Sequence, residues 1–185
     1  MVGRSNVGKS SLINALAGQP LARTSAAPGK TRLANYYRLQ RDGEVPFFLV
    51  DLPGYGYARG GDRAAAEFEI LADAFFGRID RQGRSPVRAA FLLVDSRHPG
   101  LQSDLQAWSW LEGQGVEHMV LATKLDKLTR AERQRHLRDL EKHHQGPVLP
   151  TSVATGEGLD ELWKLIAKLL RQPLPPQPLP NPSRS

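Results

Sequence analysis

The chain has 185 residues, 40% of them hydrophobic, enough to bury one good core, so a single main domain is expected. It contains no cysteine, which excludes disulfides and thiolate–metal sites and suits a reducing compartment, and no apolar run reaches membrane-spanning length. The formal charge of +6 favours polyanionic partners, nucleic acid above all.

In chain order, the first signal is the stretch from Gly3 to Ser10. It reads Gly-Arg-Ser-Asn-Val-Gly-Lys-Ser, a complete G-x-x-x-x-G-K-[ST] phosphate-binding loop. Gly3 and Gly8 permit backbone conformations that other residues resist, so the N–H groups of the intervening Arg4, Ser5, Asn6 and Val7 can converge on phosphate oxygens. Lys9 adds a point charge toward the β- and γ-phosphates, and the Ser10 hydroxyl is placed for Mg²⁺. Leu12, Ile13 and Leu16 follow at helical spacing, so Lys9, Ser10 and Ser11 open a helix whose N-terminal dipole favours the anion.

Further on, apolar runs alternate with helical patterns. Phe47–Val50 is a strand-like run ending at Asp51, and Ala89–Val94 is another ending at Asp95. His118–Ala122 leads into Thr123-Lys124, and Pro147–Leu149 into Thr151-Ser152. Continuous runs of this kind suit parallel strands buried on both faces. Leu101, Leu105, Trp108 and Leu111 predict a helix between the second and third runs. Thr129-x-x-Glu132 is a capping box opening a charged helix to about His143, and Leu159, Leu162, Trp163, Ile166, Leu169 and Leu170 mark an amphipathic final helix. Such alternation predicts an α/β sandwich with ligands at the carboxyl ends of its strands. From Pro173 to Ser185 proline dominates, predicting an extended, disordered tail that is either a proline-motif ligand or a plain solvated extension.

The informative polar motifs sit at strand ends. Asp51-Leu52-Pro53-Gly54 has the Asp-x-x-Gly form in which the carboxylate holds Mg²⁺ through water and the Gly54 amide meets the γ-phosphate. Thr123-Lys124-Leu125-Asp126 selects the base. Guanine presents N1–H and an amino group side by side, and the Asp126 carboxylate can accept both; adenine would leave it unpaired. Lys124 would lie across base and ribose, Thr123 would brace the loops, and Thr151-Ser152-Val153-Ala154 would offer backbone N–H groups to the guanine O6.

At this point the chain resembles the EngB/YihA/YsxC family of bacterial GTPases. The resemblance rests on Gly3–Asn14, Pro28-Gly29-Lys30-Thr31, Asp51–Ala58, Asp95-Ser96-Arg97-His98 and Thr123–Lys127, and it spans Gly3 to about Arg171. It implies a Ras-like P-loop GTPase domain over residues 1–172, a three-layer sandwich with a mostly parallel sheet, followed by the tail at 173–185. It implies GTP and GDP as ligands with Mg²⁺, held by Ser10, Thr31 and Asp51, and a cytoplasmic role in assembling the large ribosomal subunit, serving growth and cell division through ribosome supply. The partner expected is the subunit precursor and its rRNA, not DNA or membrane, with a monomer when free. Gly29, Lys30 and Thr31 match the first switch, with Thr31 closing on Mg²⁺ and γ-phosphate; Lys127 belongs to the base loop. Lys9, Thr31 and Gly54 are the expected catalytic positions. The family pattern also places a strand before Gly3, of which Met1-Val2 is at most a stub, so the first strand is expected to be truncated and the chain less stable than an extended one.

Hydrolysis needs a water aligned with the γ-phosphate. Ras-type enzymes orient it with a glutamine after the Asp-x-x-Gly; here that residue is Tyr55, so slow intrinsic turnover is expected. Asn6 is either a potassium ligand that stimulates the reaction, as in related GTPases, or a plain turn residue. Tyr55 and Tyr57 either stack on bases or pack. RNA contact is open between Arg59/Arg63, the favoured region, Arg78/Arg81/Arg84/Arg88, and Arg133/Arg135/Arg138/Lys142. The leading reading is a GTP-hydrolysing switch. The alternative is a nucleotide-gated RNA-binding module with negligible hydrolysis; an ATP-dependent kinase or transporter-like ATPase conflicts with Asp126.

Overall fold

A computed structural model of the chain describes residues 1–23, 33–41, 43–55, 61–78, 81 and 84–173, excluding the side chains of 61–67 and 69. Among the described residues six strands and five α-helices follow one another: β1 (Val2–Gly3), α1 (Lys9–Ala17), β2 (Asn35–Leu39), β3 (Phe47–Asp51), α2 (Gly61–Phe76), β4 (Ala89–Asp95), α3 (Gln102–Glu112), β5 (Glu117–Thr123), α4 (Arg130–His144), β6 (Val148–Pro150) and α5 (Leu159–Arg171).

Strands β1, β4, β5 and β6 lie side by side in that order and all pair in parallel, with Val2 opposite Leu92 and Leu93 opposite Leu121. Strands β2 and β3 form an antiparallel ladder in which Arg38 faces Phe48. Met1 joins the two ladders: its amino group donates to the Val50 carbonyl at 2.7 Å and its carbonyl accepts from Leu52 N–H at 3.2 Å. Thus the chain start lies between β3 and β4. A cavity of about 470 Å³ opens beside it, bordered by Phe47–Val50 and by Ala89–Phe91.

The alternation of β4 explains the three layers. Ala90, Leu92 and Val94 point into one core with Ala72, Phe76, Trp108, Leu111 and Leu140 from α2, α3 and α4. Phe91 and Leu93 point into the other, with Leu12, Ile13 and Leu16 of α1 and Leu162, Ile166 and Leu169 of α5. Both faces being covered, the strand reads as an unbroken apolar run.

The structure adds two elements that the periodicity passes over, β2 and α2. Asn35–Leu39 has only Leu39 buried, so it lacks the apolar run that marks the other strands. The last parallel strand is Val148–Pro150 rather than Pro147–Leu149. On α3 the inward stripe is Asp104, Ala107, Trp108 and Leu111, with Leu105 only half-buried. A carboxylate therefore sits where an apolar residue was expected. The charged helix α4 starts with the expected reciprocal cap between Thr129 and Glu132.

Candidate functional site

Strands β1, β3, β4, β5 and β6 end at Gly3, Asp51, Asp95, Thr123 and Pro150, and the polar motifs leave from these ends. The loop after β1 hugs the sheet. A Cβ on Gly3 would meet the Leu93 carbonyl at 2.8 Å, so only glycine lets the backbone pass β4 this closely. Asn6 and Gly8 both adopt positive φ, 63° and 111°, which turns successive amides toward one side. Gly8 offers no side-chain cap to α1, so the helix's first N–H groups retain their capacity for an anion.

Lys9 opens the helix and is 8% exposed. Its ammonium donates to the carbonyls of Gly3 at 2.8 Å and Arg4 at 3.3 Å. Burial lowers its pKa, opposed by the charge of Asp51. Asp51 is 2% exposed; burial raises its pKa, while Lys9 and the amino terminus pull it down. Its Oδ1 is buried with no hydrogen-bond partner. An orphaned carboxylate oxygen beside an ammonium-bearing loop is a suitable group for a metal ion or its water. Ser10 and Ser11 lie half-buried in the first turn of α1.

Gly54 lies against the phosphate loop, where a Cβ would meet Ser5 N at 2.7 Å and its Oγ at 2.8 Å. The amide of Ser5 donates to the Tyr55 carbonyl. Tyr55 is buried: its ring meets Phe68 edge-on at 5.6 Å and its hydroxyl donates to Asp104 Oδ1 at 3.0 Å. Of the two roles open to it, the structure selects packing, with the hydroxyl of the residue following Asp-x-x-Gly anchored on α3. Burial first, then Asp104, pushes the Tyr55 pKa up. Arg4 Nε lies 3.5 Å from the same Asp104, so Arg4 turns its side chain into the protein and offers only backbone to the loop.

The base end is tied to the phosphate end. Thr123 Oγ1 donates to the carbonyls of Val7 at 2.8 Å and Val94 at 3.1 Å. Lys124, at φ 61°, donates from its ammonium to Asn6 O at 2.7 Å and Asp95 Oδ2 at 2.9 Å. Arg97 grips the same carboxylate through Nε, Nη2 and its amide. Burial opposes ionisation of Asp95, but the bonds from Arg97 and Lys124 outweigh it and hold this carboxyl well below the usual range. Asp126 Oδ1 accepts from Ser152 Oγ at 2.7 Å, which lowers its pKa, and Lys127 Nζ lies 3.4 Å from Oδ2.

Two expectations need correction. The amides of Ser5 and Val7, expected to reach phosphate, donate instead to the carbonyls of Tyr55 and Arg4. The amides of Thr151 and Ser152 are already engaged, donating to Ala122 O and Glu157 O. Of that tetrapeptide, Val153 and Ala154 carry the amides left for a base oxygen.

Sequence reasoning missed Asp104, Asp95's ion pairs and Ser96, whose hydroxyl donates to Thr123 O at 2.6 Å. Asp104 had a usable signal, since a carboxylate at i of an i, i+3, i+4, i+7 apolar stripe must find partners inside. Arg88 bonds to the carbonyls of Leu169 and Gln172 and Arg133 to Glu157, so these two are engaged within the protein. Among the described residues no cluster of histidines and carboxylates could hold a metal, and no helix is long and apolar enough to cross a membrane. Gly29, Lys30 and Thr31, Tyr57 and Arg59, the Arg63 side chain and the tail from residue 174 lie outside the described residues.

Known proteins resemble this chain in sequence and fold. A family model described as 50S ribosome-binding GTPase matches residues 1–124. The probable GTP-binding protein EngB of Solibacter usitatus is 40% identical over 171 residues, covering 92% of this chain and 84% of its own. In fold, the chain superposes on Era in complex with MgGDPNP and nucleotides of 16S ribosomal RNA with a TM-score of 0.76 at 23% identity, over 100% of this chain and 58% of that one. It superposes on a probable GTP-binding protein EngB with a TM-score of 0.65 at 24% identity, over 92% and 96%.

Proposed function

Because this chain belongs to the EngB family of GTP-binding proteins, we propose that it is a slow GTP-hydrolysing switch that assists assembly of the large ribosomal subunit. The observation that carries the reading is the pair of bonds from Thr123 and Lys124 to the carbonyls of Val7 and Asn6, which join the base loop and phosphate loop into one site. With nucleotide bound, the Lys9 ammonium exchanges its two carbonyl partners for phosphate oxygens. The amides from Gly8 to Ser11 hold the phosphates, and Lys124 covers the base. The Asp126 carboxylate, ionised at neutral pH, accepts the guanine N1–H and amino protons, with Lys127 beside it, while Val153 and Ala154 face O6.

Ser10, Asp51 and Thr31 would hold Mg²⁺, which when bound neutralises phosphate charge. The orphaned Asp51 oxygen supports this assignment. Gly54 meets the γ-phosphate and Gly29, Lys30 and Thr31 form the first switch. Asn6 would ligate potassium, whose positive charge would serve in place of an arginine's. The partner is the precursor of the large subunit, met in the cytoplasm by a chain that is monomeric when free, and ribosome supply links it to growth and division.

Titration with fluorescent GTP and ATP analogues, followed by turnover in KCl and NaCl at equal ionic strength, tests the reading. GTP selectivity, faster turnover in KCl and nucleotide-dependent co-sedimentation with large-subunit particles are expected; equal affinity for ATP overturns it. One observation favours a second reading, a nucleotide-gated binding module without meaningful hydrolysis: Tyr55 is anchored on Asp104 and orients no water. Absence of single-turnover hydrolysis, with particles present, would select it.

A further inference from the structure

The outer face of the β2–β3 ladder is unusual for a protein surface. Tyr36 is 47% exposed and Phe48 is 62% exposed. Their rings meet edge-on at 6.4 Å, and Tyr36 meets Phe75 at the end of α2 at 6.2 Å. Arg78 donates to the Tyr36 hydroxyl at 2.8 Å and lies over the Phe75 ring at 5.9 Å. Arg38, exposed, stands directly across the ladder from Phe48. Two exposed aromatic rings, the half-buried Phe75 and two guanidinium groups thus share one face, at the rim of the cavity beside the chain start.

Aromatic rings left in water forgo burial worth roughly 25 cal/mol per Å². Within this chain the edge-on contacts orient them without covering them. The face also excludes a purely apolar partner, because docking one would desolvate Arg38 and Arg78, and no carboxylate pairs with either among the described residues. Unpaired nucleobases satisfy both halves: the rings offer stacking platforms, and the guanidinium groups meet phosphates or stack in turn. The chain's +6 charge supplies attraction of the same sign.

We infer that Tyr36, Phe48, Phe75, Arg38 and Arg78 form a docking surface for single-stranded RNA. The inference rests on the reading above that the partner is ribosomal RNA, and it names residues other than the Arg59/Arg63 pair favoured by the sequence.

The test uses fluorescence anisotropy of a labelled single-stranded RNA 12-mer and the matching duplex, with GTP affinity as the control for folding. Wild type should prefer the single strand. Phe48→Ala, which removes no charge, should weaken single-strand binding about tenfold and leave GTP affinity unchanged. Phe48→Trp should restore it, and Arg78→Glu should make the salt dependence shallower. Single-strand binding unchanged in Phe48→Ala overturns the inference, as does equal affinity for duplex. Loss of particle association in Phe48→Ala, with no RNA binding by wild type, overturns it too and marks a protein contact. RNA binding that depends on Phe48, without any association with large-subunit particles, supports this surface and overturns the proposed function instead.

Discussion

Asp126 and Asp95 are carboxylates at neighbouring strand ends with opposite assignments. Asp126 sits at the exposed rim and receives one bond from Ser152, which leaves acceptor capacity for a base. Asp126→Asn loses a charge-assisted acceptor worth about 2 kcal/mol. GTP affinity should therefore fall about thirtyfold while xanthosine triphosphate gains, as competition binding with the two nucleotides would show. Asp95 is instead closed in by Arg97 and Lys124. Its folded pKa lies below the unfolded value near 3.9. The stability it contributes is accordingly complete above about pH 4 and is lost as pH falls from there through the depressed folded value. Asp95→Asn should cost about 2 kcal/mol at neutral pH, and urea denaturation from pH 6 to pH 3 should show the two proteins converging in acid. A flat difference across that range would contradict the assignment.

Among the elements, α5 and α4 are stabilised by different means. Helix α5 puts Leu162, Ile166 and Leu169 into the core shared with α1, with Leu162 fully buried. Leu162→Ala should cost about 3 kcal/mol through lost transfer energy and the cavity left behind. Helix α4 is mostly solvated, burying only Leu140 and His144, and relies on its capping box. Thr129→Ala should cost about 1 kcal/mol, so thermal melts should rank the two substitutions clearly. One of the two elements that sequence missed, β2, follows from the same physics. It is an edge strand with one buried residue, and its placement comes from pairing with β3, which its own pattern does not encode.

At the scale of the whole molecule, contacts between residues more than a hundred positions apart hold the site. Thr123 Oγ1 reaches Val7 and Lys124 reaches Asn6 past the one strand, β4, that separates β1 from β5. Thr123→Val keeps the volume and removes both hydroxyl bonds, leaving the Val7 carbonyl buried without its partner. Nucleotide affinity should drop about tenfold, in line with a buried group left unsatisfied; calorimetric titration with GDP checks this. An unchanged affinity would mean that the loops are positioned independently.

The sequence by itself determined the loops and the layers around them. A phosphate loop, an Asp-x-x-Gly and a Thr-Lys-x-Asp are local strings whose chemistry is legible from residue type and spacing, and strands buried on both faces announce themselves as apolar runs. Tertiary structure alone decided where the polar groups turn. Tyr55 goes inward because Asp104 waits on α3, Arg4 follows it, and the amides of Thr151 and Ser152 are taken by Ala122 and Glu157. Each of these depends on a partner distant in sequence that must satisfy a buried polar group, and no local pattern records which partner that will be.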